Sequence, residues 1–139
     1  MKIFIDSNLL IYLNTISNTH IRVLYEDFYI DLLSKYKAYT DVLVLDELLY
    51  LSEKKYSIPY KVTLEFIKSI VLPYVLILGL GEEEFNLSIK YLKKYELKPS
   101  DALHLGVMEK NDISIIASED RGFDKVDGIR RVWLDEHVQ

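Results

Sequence analysis

The sequence predicts an α/β fold, with one parallel sheet carrying helices on both faces. Three observations carry this. Ile3, Phe4 and Ile5 form a short apolar run that meets a lone carboxylate, Asp6, and passes at once into the helical pattern Leu9, Leu10, Tyr12 and Leu13. A later apolar run at residues 74–80 and the stretch 113–117, with Ser114 its one polar residue, read as strands buried on both faces. Helical patterns separate these runs, and that alternation favours a parallel sheet.

Taken in order, residues 3–5 give the first strand and a short helix runs to about residue 13, followed by a polar loop over 14–19. Residues 20–36 place Val23, Phe28, Ile30, Leu32 and Leu33 at helical spacing. Residues 37–40 read as a connector with room for a very short strand. A helix follows over 41–56, with Thr40 or Asp41 as its N-cap. Its Asp46, Tyr50, Glu53 and Lys54 make one polar stripe facing water.

Glu47 lies off that stripe, among Leu43, Val44 and Leu51. A buried unpaired charge is costly. Either a cation meets Glu47, or its pKa is raised, or its stem snorkels to the surface.

Pro59 suits the first turn of a helix over 60–72. The strand over 74–80 is bounded by Pro73 and by Gly79 and Gly81. Glu82, Glu83 and Glu84 open a helix to residue 95, acids at its positive end. Late in it, Lys90, Lys93 and Lys94 read as a solvated face or as a patch that tracks phosphates. Another helix starts near Pro99 and ends near residue 111. Ser100 or Asp101 serves as its cap or as part of a site, and His104 reads as a hydrogen-bonded packing residue. After the strand over 113–117, Ser118-Glu119-Asp120-Arg121-Gly122-Phe123-Asp124 is either a turn or a second acid cluster leaving a strand end. Residues 131–134 suit a last strand and 135–139 a tail.

At 139 residues the chain is expected to form a single domain, 1–139. The apolar run over 70–80 is broken by Pro73 and Gly79, too short for the roughly 20 residues of a membrane span. The first residues lack the pattern of a signal peptide. With no cysteine, disulfides and thiolate metal sites are excluded and a reducing interior is permitted. A net charge of −5 argues against a protein that coats nucleic acid through phosphate contacts alone. It leaves room for an enzyme whose acids hold cations. Eleven tyrosines either straddle core and surface or supply a partner groove.

Asp6 and Asp120 follow strands at one sheet edge, and Glu47 and Asp101 sit on helices that can reach it. Ligands of open α/β sheets bind outside the carboxyl ends of the strands. Two carboxylates ~4 Å apart repel by about 4 kcal/mol at an effective dielectric of ~20. Hard divalent cations, Mg²⁺ or Mn²⁺, would relieve this, and zinc suits the set poorly. One ion or two could bind, and two could activate water against a phosphodiester.

These residues resemble the PIN domain family, and within it the small toxin ribonucleases of VapBC toxin–antitoxin pairs. The matching motifs are Ile5-Asp6-Ser7-Asn8, Leu45-Asp46-Glu47-Leu48, Lys98-Pro99-Ser100-Asp101-Ala102 and the segment from Ser118 to Asp124. Each is short, but together and in this order they are fairly specific. The resemblance implies a three-layer α/β/α sandwich and a Mg²⁺- or Mn²⁺-dependent endoribonuclease in the cytoplasm. Asp6, Glu47, Asp101 and Asp120 would be metal ligands and catalytic acids, with Asp124 an auxiliary acid. Ser7, Asn8 and Ser118 would orient ligands or water. It also implies an RNA substrate, a cognate antitoxin and a homodimer.

Relatives often carry Ser or Thr where this chain has Asp41 and Val44, so a hydroxyl contact there is in doubt. Lys98, Arg121 and Lys125 are candidates for positioning RNA. The alternative function is a PIN-fold binding or RNA-processing module without a toxin role. A phosphoryl receiver fails because Asp6 stands alone after the first strand. A phosphatase fails because Asn8 replaces its second acid.

Overall fold

The structure, a computed structural model, describes residues 1–134. The stretch over 135–139, expected as a tail, lies outside the described residues. Five strands form one sheet in the order β3-β2-β1-β4-β5. They are β1 (Lys2–Ile5), β2 (Lys37–Asp41), β3 (Leu76–Leu78), β4 (Ile115–Ala117) and β5 (Arg130–Val132). Every pairing is parallel, with Phe4 opposite both Tyr39 and Ile116. The helices are α1 (Ser7–Thr15), α2 (Thr19–Lys35), α3 (Val42–Tyr56), α4 (Tyr60–Phe66), α5 (Glu82–Lys94) and α6 (Pro99–Lys110). They flank the sheet in a three-layer α/β/α sandwich, with α1 packed on α2 and α3, and α5 on α6.

β1 is central because Ile3, Phe4 and Ile5 have no exposed surface, as a strand covered on both faces requires. The Thr40 hydroxyl ties β2 to it by donating to the Ile5 carbonyl at 2.7 Å. β2 is therefore a full five-residue strand where the sequence suggested a connector. Its pairing to β1 on one side and β3 on the other makes it a strand, and that support is not local.

The expected strand over 74–80 is only three residues long and lies at the sheet edge. Leu76 is accordingly exposed rather than buried on both faces. The expected helix over 60–72 is α-helical only to Phe66 and then makes one π turn, Ile67–Val71. The Tyr29 hydroxyl donates to the Ile70 carbonyl inside that turn at 2.7 Å.

The cap expected for α3 forms, whereas at α6 Lys98 takes the cap position in place of Ser100 or Asp101, because Pro99 already fills the first turn. Asn18 caps α2 by accepting from the Ile21 N–H, and Asp41 caps α3 by accepting from the Val44 N–H at 2.9 Å. Acids open α5 and lysines close it, as its dipole prefers. Lys90 and Lys94 are ion-paired to Glu109 and Asp127, a solvated face rather than a phosphate track. No described helix is long and apolar enough to cross a membrane.

Candidate active site

The strand order places the site. From β1 the chain builds outward through β2 and β3, then returns to the other side of β1 for β4 and β5. The switch point therefore falls between the carboxyl ends of β1 and β4, where open α/β sheets bind ligands. Asp6 follows β1 and Ser118 follows β4. The Asp6 N–H donates to the Ala117 carbonyl at 3.0 Å, which locks the two strand ends together.

Asp6 is buried and doubly held. One carboxylate oxygen accepts from the Ser7 N–H at 2.8 Å and the other from the Ser118 hydroxyl at 2.7 Å. The Ser118 oxygen in turn accepts from the Asp120 N–H at 3.1 Å. Asp120 accepts from the Gly122 N–H at 2.8 Å and so starts the 3₁₀ turn Arg121–Lys125. The Ser7 hydroxyl donates to Glu47 at 2.7 Å, so Glu47 is one serine away from Asp6. Glu47 is half-buried, and the stripe of Asp46, Tyr50, Glu53 and Lys54 faces solvent as expected.

Asp101 is buried in the first turn of α6. Burial first, then the charges of Asp6 and Asp120, push its carboxyl up to about 7, and a hydrogen bond with Asp120 adds to this. His104, one turn further on, pulls the other way. Its ring is wholly buried, with Nδ1 2.7 Å from an Asp41 oxygen. Its Nε2 is buried, has no hydrogen-bond partner among the described residues and lies 3.9 Å from Asp6. Burial lowers the His104 pKa, but the Asp41 bond and the charges of Asp41, Asp6 and Asp101 outweigh it and hold the pKa up to about 9. The sequence placed His104 in the packing. It did not pair it with Asp41, which both caps α3 and stands behind the acids.

The structure thus gathers Asp6, Asp101 and Asp120 into electrostatic contact, with Glu47 joined through Ser7. Asn8 lies at the rim, its side-chain oxygen accepting from the Glu119 N–H at 3.3 Å. Asp124 does not join the cluster, because both its oxygens accept from the buried Arg131 guanidinium at 2.9 and 3.3 Å. Among the described residues no three acids or histidines stand as a ready-made metal cage. The donor set nevertheless suits a hard cation. It offers only carboxylate oxygens, and the raised Asp101 reports negative charge that the nearby His104 offsets only in part.

Those two groups predict the pH dependence of stability. Between pH 3.8 and about 7 the folded chain holds a proton on Asp101 that the unfolded chain releases. Between 6.5 and about 9 it holds one on His104. Where the native state binds more protons, stability falls as pH rises. The melting temperature in EDTA is expected to drop from pH 5 to pH 9, by on the order of 5 °C. A profile that is flat or rises over that range would show that these protons are not bound.

The fold and the site together define an α/β/α domain with acids gathered at the β1/β4 switch point. A family model described as "PIN domain" matches residues 3–129, and the chain belongs to that family. No curated protein matches the chain. Three of the solved structures with this fold are toxin or toxin–antitoxin proteins. VapC20 of Mycobacterium tuberculosis, a Sarcin-Ricin loop cleaving toxin, is 16% identical at TM-score 0.69, over 88% of this chain and 92% of its own. VapBC2 of Rickettsia felis, bound to a fragment of promoter DNA, is 15% identical at TM-score 0.70, over 96% and 98%. VapBC from Salmonella typhimurium, also DNA-bound, is 18% identical at TM-score 0.69, over 96% and 98%.

Proposed function

We propose that this chain is a divalent-metal-dependent endoribonuclease, the toxin of a VapBC-like toxin–antitoxin pair. The observation that carries the reading is Asp101, pressed by Asp6 and Asp120 at the switch point of a PIN fold. Asp6, Glu47, Asp101 and Asp120 would hold Mg²⁺ or Mn²⁺. The bound ion would lower the pKa of a water and offset charge developing on the phosphate. Ser118 and the Ser7 N–H fix the Asp6 carboxylate, and the Ser7 hydroxyl fixes Glu47. No protein nucleophile is needed, because water attacks the phosphodiester in line. Lys98, Arg121 and Lys125 would help to position RNA.

A protein partner is part of the reading. An apolar groove of ≈ 690 Å³ runs between α2 and the π turn, lined by Val23, Tyr29, Ile30, Phe66, Ile70 and Tyr74. Exposed apolar surface on this scale marks an interaction face. It would take the antitoxin, and the toxin would act as a homodimer in the cytoplasm.

The test is cleavage of a mixed RNA pool by purified protein. Cutting is expected with Mn²⁺ or Mg²⁺ and not with EDTA. Cutting that survives EDTA would overturn the metal mechanism. No cutting by folded, partner-free protein would favour a binding or RNA-processing role.

A further inference from the structure

Beside the acids lies a second cavity, between α1 and α3, that no part of the mechanism above uses. Its volume is ≈ 150 Å³, and it is lined by Ser7, Asn8, Tyr12, Glu47, Lys55 and Tyr56 among others. It therefore shares Ser7, Asn8 and Glu47 with the candidate active site.

Size restricts its occupant. At ~30 Å³ per water, the space equals about five waters. That is too much for a single ion or water and well below the ~300 Å³ at which drug-sized ligand pockets begin. One planar ring is the scale that suits it.

The chemistry of the lining narrows the choice further. Tyr56 ends α3 and is 45% exposed, and its ring has no aromatic partner among the described residues. Lys55 makes no ion pair or hydrogen bond among the described residues, although most lysines of α5 are paired in a chain of net charge −5. The Asn8 side-chain nitrogen has no acceptor there either, since only its oxygen is engaged. The opposite wall is held in place: the Tyr12 hydroxyl donates to Glu119, and the Tyr12 ring packs on Tyr25 and Trp133. An open aromatic face, an unpaired cation and a free amide donor are what a single-stranded nucleic acid meets in its binding sites. Bases stack there on aromatic rings, lysines meet phosphates and amides read base edges.

We propose that this cavity is a subsite for one unpaired nucleobase of the RNA substrate, next to the bond that is cut. Tyr56 supplies the stacking face, Lys55 meets the neighbouring phosphate, and Asn8 donates to the base edge. The subsite rests on the ribonuclease reading and adds to it a requirement for single-stranded RNA at this position.

The test uses full-length Asp6→Asn protein, which holds RNA without cutting it, and a labelled single-stranded RNA of mixed sequence. Tyr56→Ala is expected to weaken binding about tenfold or more, and Tyr56→Phe to stay within about twofold, because the ring is retained. Lys55→Ala is expected to weaken binding and to flatten its salt dependence. An RNA lacking the base at one position should lose affinity for the Tyr56 protein and lose no more when Tyr56 is Ala. Tyr56 is exposed at a helix end, so the melting temperature of its variants should stay at that of the parent.

Binding that is the same with and without the Tyr56 ring overturns the subsite and leaves the ribonuclease reading standing. A parent protein that binds no single-stranded RNA overturns that reading and the subsite with it. Loss of antitoxin binding with RNA binding unchanged assigns the cavity to the protein partner instead.

Discussion

Replacing Asp6 by Asn is expected to lower RNA cleavage by on the order of a thousandfold, the scale of losing a central electrostatic group. The fold should survive. An Asn oxygen can still accept from the Ser7 N–H, and the Ser118 hydroxyl can turn to accept from the new amide. Asp6→Asn also removes one of the two charges that press on Asp101. The same change removes one of the charges that hold the proton on His104, so in EDTA the variant should melt within a few degrees of the parent, while any stabilisation by added Mn²⁺ should shrink. The measurement is single-turnover cleavage of the RNA pool, with melting curves in EDTA and in Mn²⁺. Cleavage within a few-fold of the parent would remove Asp6 from the site and sink the mechanism.

Three of the acids could be picked out from the sequence because each sits at a strand end or on an unexpected helix face, whereas Asp101, an ordinary first-turn acid, stands out only through its motif. Asp6 follows an apolar run and Glu47 interrupts an apolar stripe, and both signals are local. Their partners could not be read this way. Ser118 meets Asp6 across 112 residues, and His104 meets Asp41 across 63. Nothing within a helical or strand period connects such pairs. Asp124 looked like one more acid of the segment after β4, but Arg131 on β5 turns it away.

The same divide runs through the fold. β1, β4 and the Asp41 cap of α3 follow from short patterns. β2 does not, because Lys37, Ala38, Tyr39 and Thr40 offer little apolar character and become a strand only between two neighbours. β3 errs in the other direction. Its apolar residues promise deep burial, yet the sheet ends there, and Leu76 and Tyr74 remain for a partner or for solvent. The π turn that shortens α4 leaves no mark in composition, since it depends on Tyr29 reaching the Ile70 carbonyl from another helix.

The largest expected effect on stability lies outside the acids, at Gly106→Ala. In an ordinary exposed helix position this change would stabilise by up to about 1 kcal/mol. Here a Cβ on Gly106 would lie 2.3 Å from the Glu84 backbone carbonyl oxygen and 3.1 Å from both Ser88 N and Ser88 Cβ. The obstacle is the backbone of α5, not the tip of a flexible side chain. The buried Ser88 cannot turn aside either, because its hydroxyl donates to the Phe85 carbonyl. The two helices must move apart along their shared face. Overpacking of this kind costs about 1–3 kcal/mol and outweighs the propensity gain. That is a large share of a total stability of roughly 5–15 kcal/mol. The effect should reach the site as well, because α6 carries Asp101 in its first turn and His104 one turn on. Gly106→Ala should therefore melt several degrees lower and cut RNA more slowly. Gly79→Ala, where nothing lies within 4 Å of the new Cβ, should do neither. Equal melting temperatures for Gly106→Ala and the parent would mean that α5 and α6 separate freely, and that their close contact does not hold Asp101 in place.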